Sequence, residues 1–93
     1  MAISEPVRGY VITGHAVFEM RRRGITESTV RGVLGAPEQR LAVRPGRDVL
    51  QSRIAIGDKA YLLRVFVDVD RDPAEVVTVY LTSRIAKYWK AEP

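Results

Sequence analysis

His15 is the side chain best suited to proton transfer near neutral pH, because the sequence has one histidine and no cysteine. An imidazole can serve as a general acid or a general base. Helical periodicity places His15 on the same side as Glu19 and Arg22, with Arg23 at the edge and Met20 opposite. The alternative is a first-turn residue that hydrogen-bonds to a neighbouring sheet. The residues leave both roles open.

Arg64 is the one charged residue within the apolar stretch LLRVFV. A guanidinium in the middle of a strand needs a partner or a ligand, because burying it alone is costly. One account is an ion pair with Glu19 or Asp68. The other account is an anion site on the open face of a sheet.

Two further groups of residues are compatible with RNA contact. The run from Arg21 to Arg23 points in three directions, so each side chain either binds a phosphate or complements the helix macrodipole at a solvated helix end. Thr78, Tyr80 and Thr82 alternate on one side of a strand, where Tyr80 has the right chemistry to stack on a base. High strand propensity is the simpler explanation of that ladder.

Composition excludes several classes of site. Without cysteine there is no disulfide framework, thiolate metal site or cysteine nucleophile, and one histidine is too few for a conventional zinc site. The scattered glycines form neither a phosphate loop nor a dinucleotide fingerprint, so we expect no cofactor. The net charge is +4, from fifteen Lys or Arg against eleven Asp or Glu. Arginine predominates, and its planar fork suits phosphate.

Length and hydropathy suggest one intracellular domain. The 93 residues leave room for a single domain, which we take as 1–93. No window approaches the roughly 20 apolar residues that a membrane span requires. The first ten residues also lack a basic segment followed by an apolar one, so no signal peptide is evident. We therefore expect a cytoplasmic protein.

The elements that position these residues follow from caps and periodicity. A helix from His15 to Arg23 has Thr13 as its N-cap and ends at Gly24. A second helix begins after Thr26 and stops before Pro37, which completes a helical hairpin. Four strands follow, and their short linkers predict an antiparallel meander. Their predicted ranges are Arg40–Arg44, Val49–Ile56, Ala60–Val69 and Glu75–Thr82.

This pattern predicts an α+β fold: an N-terminal helical hairpin, a four-stranded antiparallel meander sheet and a short C-terminal helix capped by Ser83. One sheet face is apolar and should receive the helices. Tyr88 and Trp89, near the end of the chain, either pack on the domain's own core or form an apolar surface for a homodimer or another partner. The opposite face of the sheet carries Gln51, Arg53, Arg64, Thr78, Tyr80 and Thr82.

The stretch from His15 to Thr26, HAVFEMRRRGIT, resembles the opening of bacterial domain-of-unknown-function family 4258. That family's pattern runs roughly H-A-x-x-R-M-x-x-R-G-I-S/T. Pro37 and the strand segment from Val77 to Tyr80 fit it as well. The family resembles the RelE, BrnT and barnase-like toxin group, whose members place helices before a small antiparallel sheet. Many of them act on RNA, including ribosome-associated mRNA, and a small antitoxin protein neutralises them.

The resemblance implies a toxin-type, metal-independent endoribonuclease. Its catalytic candidates are His15, Arg23 and Tyr80, and its nucleic-acid-binding candidates are Arg22, Arg53, Arg64 and Thr78. Glu19 departs from the family pattern, which has arginine there. This glutamate either pairs with an arginine, raises the basicity of His15 or marks an inactive member. The alternative function is a non-catalytic RNA- or protein-binding module, which is favoured by Glu19 and by the lack of a second strong general base.

Overall fold

The computed structural model of the protein describes residues 4–91. Five strands and three helices make up this part of the chain. In chain order they are β1 (Tyr10–Ile12), α1 (Gly14–Arg23), α2 (Glu27–Gly35), β2 (Gln39–Arg44), β3 (Arg47–Ile56), β4 (Lys59–Asp68), β5 (Ala74–Thr82) and α3 (Ile85–Tyr88).

The first two helices begin and end where the sequence predicts. The Thr13 hydroxyl accepts a hydrogen bond from the Ala16 backbone N–H at 3.2 Å. The Thr26 hydroxyl does the same for Thr29, also at 3.2 Å. Gly24 ends α1 with φ of 69°, in the left-handed region where a side chain would be strained. Both predicted N-caps and the glycine stop are therefore confirmed.

The sheet is mixed and has five strands, in the order β1-β5-β4-β3-β2. Strands β2 to β5 pair antiparallel in sequence order, as the short linkers predict. The predicted four-stranded, fully antiparallel sheet is wrong in one respect, because β1 adds to the outer side of β5 in parallel. Three residues are too few to show a period of two. The partner of β1 also lies at the other end of the chain, where no turn signal connects them.

One sheet face packs under α1 and α2, as predicted. Its strands contribute side chains such as Leu50, Leu63 and Val65, each fully buried. The helices contribute Ala16, Met20 and further apolar residues. Removal of this apolar surface from water is the main stabilising contribution to a domain of this size. The remainder of the core consists of Val7, Ile25, Val30, Val33, Leu34, Val67, Ala74, Val76 and Val79.

The C-terminal segment lies on the other face of the sheet. Ser83 does not cap α3: Arg84 is its N-cap, without a side-chain cap, and the Thr82 hydroxyl instead accepts from the Arg84 N–H at 3.0 Å. The single turn of α3 brings Tyr88 over the sheet, where its carbonyl accepts from Gln51. No helix among the described residues has the length and apolar character required to span a membrane.

Candidate functional site

Helix α1 lies alongside β5 and connects its own last turn to the polar face of the sheet. At its start the Thr13 backbone N–H donates to the Val76 carbonyl at 3.1 Å. At its end the Arg23 guanidinium carbon lies 5.4 Å from the centre of the Tyr80 ring. Tyr80 shares its face with Arg64, because the two residues are paired across β4 and β5. Helix α1 thus places the Arg23 guanidinium beside that face.

Four side chains form a continuous group that we call the Arg–Tyr cluster: Arg23, Tyr80, Tyr88 and Arg64. The Tyr80 and Tyr88 rings meet edge to face, with 5.7 Å between centroids. The Arg64 guanidinium carbon lies 4.4 Å from the centre of the Tyr88 ring. Two phenols therefore lie between two cations on one surface. Guanidinium groups bind phosphate oxygens, and phenols transfer protons or stack on bases.

Arg64 makes no ion pair with any carboxylate in the part of the chain that the structure describes. Its Nε donates to Gln51 Oε1 at 2.9 Å, and Phe66 and Tyr88 contact its guanidinium. The predicted ion pair with Glu19 or Asp68 is wrong. Burial lowers the pKa of Arg64 below its usual range, although the cation persists at neutral pH. A half-buried guanidinium without a counter-charge is suited to an anionic ligand.

The two carboxylates expected for Arg64 are already occupied. Glu19 Oε1 lies 2.9 Å from Arg22 NH2 and 3.4 Å from Arg23 Nε. Asp68 Oδ1 lies 2.6 Å from Arg47 Nε. The first group lies within α1, and the second joins the paired ends of β3 and β4, so both carboxylates are bound to other arginines.

The Tyr88 phenol has a pKa below its usual range. The adjacent Tyr80 hydroxyl lowers the pKa of Tyr88, and the charges of Lys87 and Arg64 lower it further. A phenol of this kind is a better proton acceptor at neutral pH than an ordinary tyrosine. The sequence predicts Tyr88 either in the core or on an apolar surface, and not as a site residue. Its position beside Tyr80 depends on the return of the C-terminal segment across the sheet.

Two buried glutamines hold that segment in place. Gln51 Nε2 donates to the Tyr88 carbonyl at 3.1 Å and to Gln39 Oε1 at 2.8 Å. Gln39 Nε2 donates to the Lys90 carbonyl at 2.6 Å, and Lys90 N–H donates back to Gln39 Oε1 at 3.1 Å. Gln51 also accepts from Arg64. One amide side chain thus fixes both Tyr88 and Arg64.

Glu19 binds arginines and forms no hydrogen bond or ion pair with His15, which is also a described residue. Hydrogen bonding to Arg22 is the largest cause of its lowered pKa, and Arg23 adds to the effect. Of the three roles predicted for Glu19, pairing with an arginine is the one that the structure contains. The Arg23 Nε is buried and, within residues 4–91, lacks a hydrogen bond of good geometry. Arg23 Nε lies 3.4 Å from Glu19 Oε1, which corresponds to a loose ion pair.

His15 lies apart from the Arg–Tyr cluster. It is exposed on α1 and makes no hydrogen bond or ion pair with the described residues. The interval from His15 to Arg23 corresponds to about 12 Å along the helix axis. No hydrogen bond joins His15 to Tyr80 in residues 4–91, so the two predicted catalytic residues are not a preformed pair.

The remaining predicted site residues differ in their availability. Glu38 binds Arg53, with 2.8 Å between Oε2 and NH2, and the Arg53 guanidinium carbon also lies 4.3 Å from the Trp89 ring centre. Arg22 is exposed but paired with Glu19. Thr78 is half-buried on the same strand as Tyr80. Arg23, Arg64 and Tyr80 are the predicted residues that the structure brings together.

All four residues of the cluster are half-buried. Two cavities of about 200 and 260 Å³ lie elsewhere, and none of the four cluster residues lines either of them. No group of three or more His, Asp or Glu side chains that could hold a metal ion occurs in the described part of the chain. A row of cations and phenols drawn from several elements suits an extended anionic ligand.

Comparison with known proteins supports a family assignment. The model of the family described as Domain of unknown function (DUF4258) matches residues 12–81. This range begins in β1 and ends in β5, so it includes α1 and three residues of the cluster. Neither the curated proteins nor the solved structures gave a match.

Proposed function

We propose that this chain, which belongs to the DUF4258 family, is a toxin-type protein that cleaves RNA in a metal-independent reaction at the Arg–Tyr cluster. The observation that carries the proposal is Arg64, a half-buried cation that has a carboxamide and aromatic rings around it and no carboxylate partner among residues 4–91. RNA supplies the missing negative charge through its phosphates and a planar surface through its bases.

The chemistry that fits the cluster is transesterification within the RNA strand. The ribose 2′-oxygen bonds to phosphorus while the bond from phosphorus to the 5′-oxygen breaks. The ionised Tyr88 accepts the proton of the 2′-hydroxyl, and the neutral Tyr80 donates a proton to the leaving oxygen. A proton then passes from Tyr88 to Tyr80, which restores the Tyr88 phenolate and the Tyr80 phenol. The products are a 2′,3′-cyclic phosphate and a 5′-hydroxyl.

Arg23 and Arg64 stabilise the negative charge that develops in this reaction. The phosphoryl oxygens gain negative charge as the 2′-oxygen attacks, and fixed cations stabilise that charge more strongly than mobile solvent does. Arg64 is held by Gln51 and Arg23 by Glu19. Both are therefore positioned before RNA arrives, which lowers the cost of binding in the correct geometry.

The test of this function is growth and RNA integrity in a bacterial host after induction of the chain. Wild type should arrest growth with RNA cleavage, whereas Arg64→Gln should not. Arg31→Gln is the matched control, because it removes one exposed arginine that pairs with Glu27 on α2, outside the cluster. His15→Ala belongs in the same experiment and measures whether His15 takes part when RNA is bound.

Purified protein completes the test. Cleavage of free RNA or ribosome-bound mRNA should continue in the presence of a metal chelator and should leave 2′,3′-cyclic phosphate ends. A soluble, folded wild-type protein that neither arrests growth nor cleaves either substrate would overturn the proposal.

The pH dependence tests the role of Tyr88. As a general base it must be ionised, so kcat/KM should rise with pH and level off below the usual tyrosine pKa of about 10, in line with its lowered pKa. Tyr88→Phe should reduce kcat/KM by about 10²-fold or more and remove this limb of the profile. Tyr61→Phe is the control, because Tyr61 also contacts a lysine but lies outside the cluster.

The same proposal covers the cellular setting. We expect a cytoplasmic protein of the RelE, BrnT and barnase-like fold group that a small antitoxin neutralises. The antitoxin should cover the Arg–Tyr cluster, so co-expression of the protein encoded beside this chain should restore growth. An antitoxin that binds purified wild type and Arg64→Gln with equal affinity would act elsewhere on the chain.

A second candidate function is a non-catalytic module that binds RNA or another protein, either a different chain or a second copy in a homodimer. The observation in its favour is that Glu19 and Glu38 neutralise charge on Arg22, Arg23 and Arg53. Such a module would bind RNA and leave it intact. Recovery of full-length RNA bound to wild-type protein, with binding reduced in Arg64→Gln, would support this function over cleavage.

A further inference from the structure

The exposed side of α1 carries an aromatic ring among cations. We call this surface the α1 outer face and define it by His15, Phe18, Arg21 and Arg22. Phe18 is 61% exposed, more than the other large exposed apolar side chains of the described residues. His15 precedes it by three residues, and Arg21 and Arg22 follow it by three and four, so all three are its neighbours on the helix surface.

The cations of this face differ in how they are held. Arg22 is anchored by Glu19, whose side chain turns inward. Arg21 is exposed and makes no ion pair or hydrogen bond with any residue between 4 and 91. The face therefore offers one paired guanidinium, one exposed guanidinium and an imidazole around the exposed Phe18 ring.

We propose that the α1 outer face is a binding site for single-stranded RNA, in which a base stacks on Phe18 and neighbouring phosphates bind Arg21 and Arg22. This inference deepens the proposed function and rests on it for the identity of the ligand. Aromatic rings interleaved with cations are the usual means of holding single strands without sequence readout. The Phe18 ring offers a surface for a base, and the two guanidinium groups offer donors for phosphates.

The site is continuous with the Arg–Tyr cluster. Glu19 contacts both Arg22, on the outer face, and Arg23, in the cluster. One carboxylate thus connects the two surfaces. An RNA strand that crosses the last turn of α1 meets the outer face on one side and the Tyr80 ring on the other, so the outer face would hold the strand next to the cluster.

A protein partner fits this surface less well. The centre of a protein–protein interface is depleted in charged residues and contains several apolar side chains. Phe18 has charged or titratable neighbours along the helix, and the other large exposed apolar residues lie on different elements: Val11, Val43 and Ile56. A single ring surrounded by cations is better matched to a base and its phosphates.

The experiment measures binding of a fluorescein-labelled 2′-O-methyl RNA about 12 nucleotides long, which cannot be cleaved because its 2′-oxygen is blocked. Fluorescence anisotropy gives the Kd of wild type, Phe18→Ala, Phe18→Trp and Arg21→Gln. Phe18→Ala should weaken binding about 5- to 100-fold, and Phe18→Trp should retain it. Arg21→Gln should reduce the slope of log K against log salt by about 0.7.

Val43→Ala is the matched control, since Val43 is 47% exposed but lies on β2, at the other edge of the sheet. Equal Kd values for Phe18→Ala and Val43→Ala would overturn the inference. So would loss of self-association in Phe18→Ala, measured by sedimentation, with RNA affinity unchanged, because the face would then be a protein interface.

A parallel cleavage assay on unmodified RNA separates this inference from the proposed function. Phe18-dependent binding without cleavage would support the RNA site and overturn the ribonuclease. Cleavage that is lost in Arg64→Gln but unchanged in Phe18→Ala would overturn the RNA site and support the ribonuclease.

Discussion

The two faces of the sheet are covered by different segments, which are held by different kinds of interaction. On the first face, α1 and α2 cover apolar side chains such as Leu50, Leu63 and Val65. On the second, the chain after β5 returns across the strands and is held by amide hydrogen bonds from Gln39 and Gln51. The first face is a hydrophobic core, and the second is a layer of directional polar contacts.

This difference has a functional consequence. Apolar contacts are non-directional, so a core of this kind stabilises the fold without leaving a charge for a ligand. Hydrogen bonds to a carboxamide can hold a cation in place without neutralising it. Gln51 does this for Arg64, whereas Glu38 neutralises Arg53 on the same face. Arg64 is therefore positioned for a ligand, whereas Arg53 forms an ion pair within the protein.

The largest expected effect comes from the first face. Leu63→Ala removes a fully buried side chain from the centre of β4, at the register position opposite Leu81. The lost burial and the resulting cavity should reduce the free energy of unfolding by about 2–5 kcal/mol. Urea unfolding followed by circular dichroism measures this change.

The control for that variant is Ile56→Ala, because Ile56 is 46% exposed at the end of β3. It should change the free energy of unfolding by less than about 0.5 kcal/mol. Equal losses in the two variants would mean that the helix-covered face is not the principal core.

An intermediate effect is expected from the second face. Gln51→Ala leaves the Tyr88 carbonyl, Gln39 and Arg64 without the amide that joins them. Unsatisfied polar groups in a buried setting should reduce the free energy of unfolding by about 1–3 kcal/mol. The C-terminal segment should loosen as well, so chymotrypsin should cut after Tyr88 or Trp89 faster than in wild type.

Gln51→Met separates the hydrogen bonds from the volume of the side chain. Methionine has a similar length but no amide, so it should fail to restore either stability or protease resistance. Recovery of both properties in Gln51→Met would show that packing, and not the amide, holds the segment.

The local structure of the chain was predictable from its sequence. Thr13, Thr26 and Gly24 mark helix ends through contacts within a few residues, and the short linkers fix the antiparallel order of β2 to β5. The strand β1 was missed because a three-residue strand has no readable period. The Ser83 cap was wrong because the neighbouring Thr82 hydroxyl accepts from the Arg84 backbone instead.

The site was only partly predictable for the same reason. Arg64 is conspicuous in an apolar strand, and alternation places Tyr80 on its face. Tyr88 joins them through a hydrogen bond from Gln51, which lies 37 residues away in the chain. Gln39 and Lys90 are separated by 51 residues. No periodicity encodes such contacts, since they depend on where the chain turns after β5.

The smallest expected effect sharpens the contrast between Arg53 and Arg64. Hydrogen bonding to Arg53 lowers the pKa of Glu38 below the usual glutamate range. Because the folded pKa is lower than the unfolded one, this carboxylate contributes stability that is fully present above about pH 4.3, the usual glutamate value. The contribution is lost as pH falls through the folded pKa. Glu38→Gln should therefore be less stable than wild type at neutral pH, and the difference should vanish in acid.

Urea unfolding of both chains from neutral to acid pH measures that convergence, with Glu5→Gln as the control because Glu5 is an exposed glutamate outside these ion pairs. A difference that stays constant with pH would contradict the ionic role of Glu38 and point to the lost geometry of its hydrogen bonds.

RNA binding should respond to Glu38→Gln in the opposite direction to stability. Removal of the Glu38 charge makes the second face more positive, so Glu38→Gln should bind RNA slightly more tightly than wild type and show a steeper salt dependence.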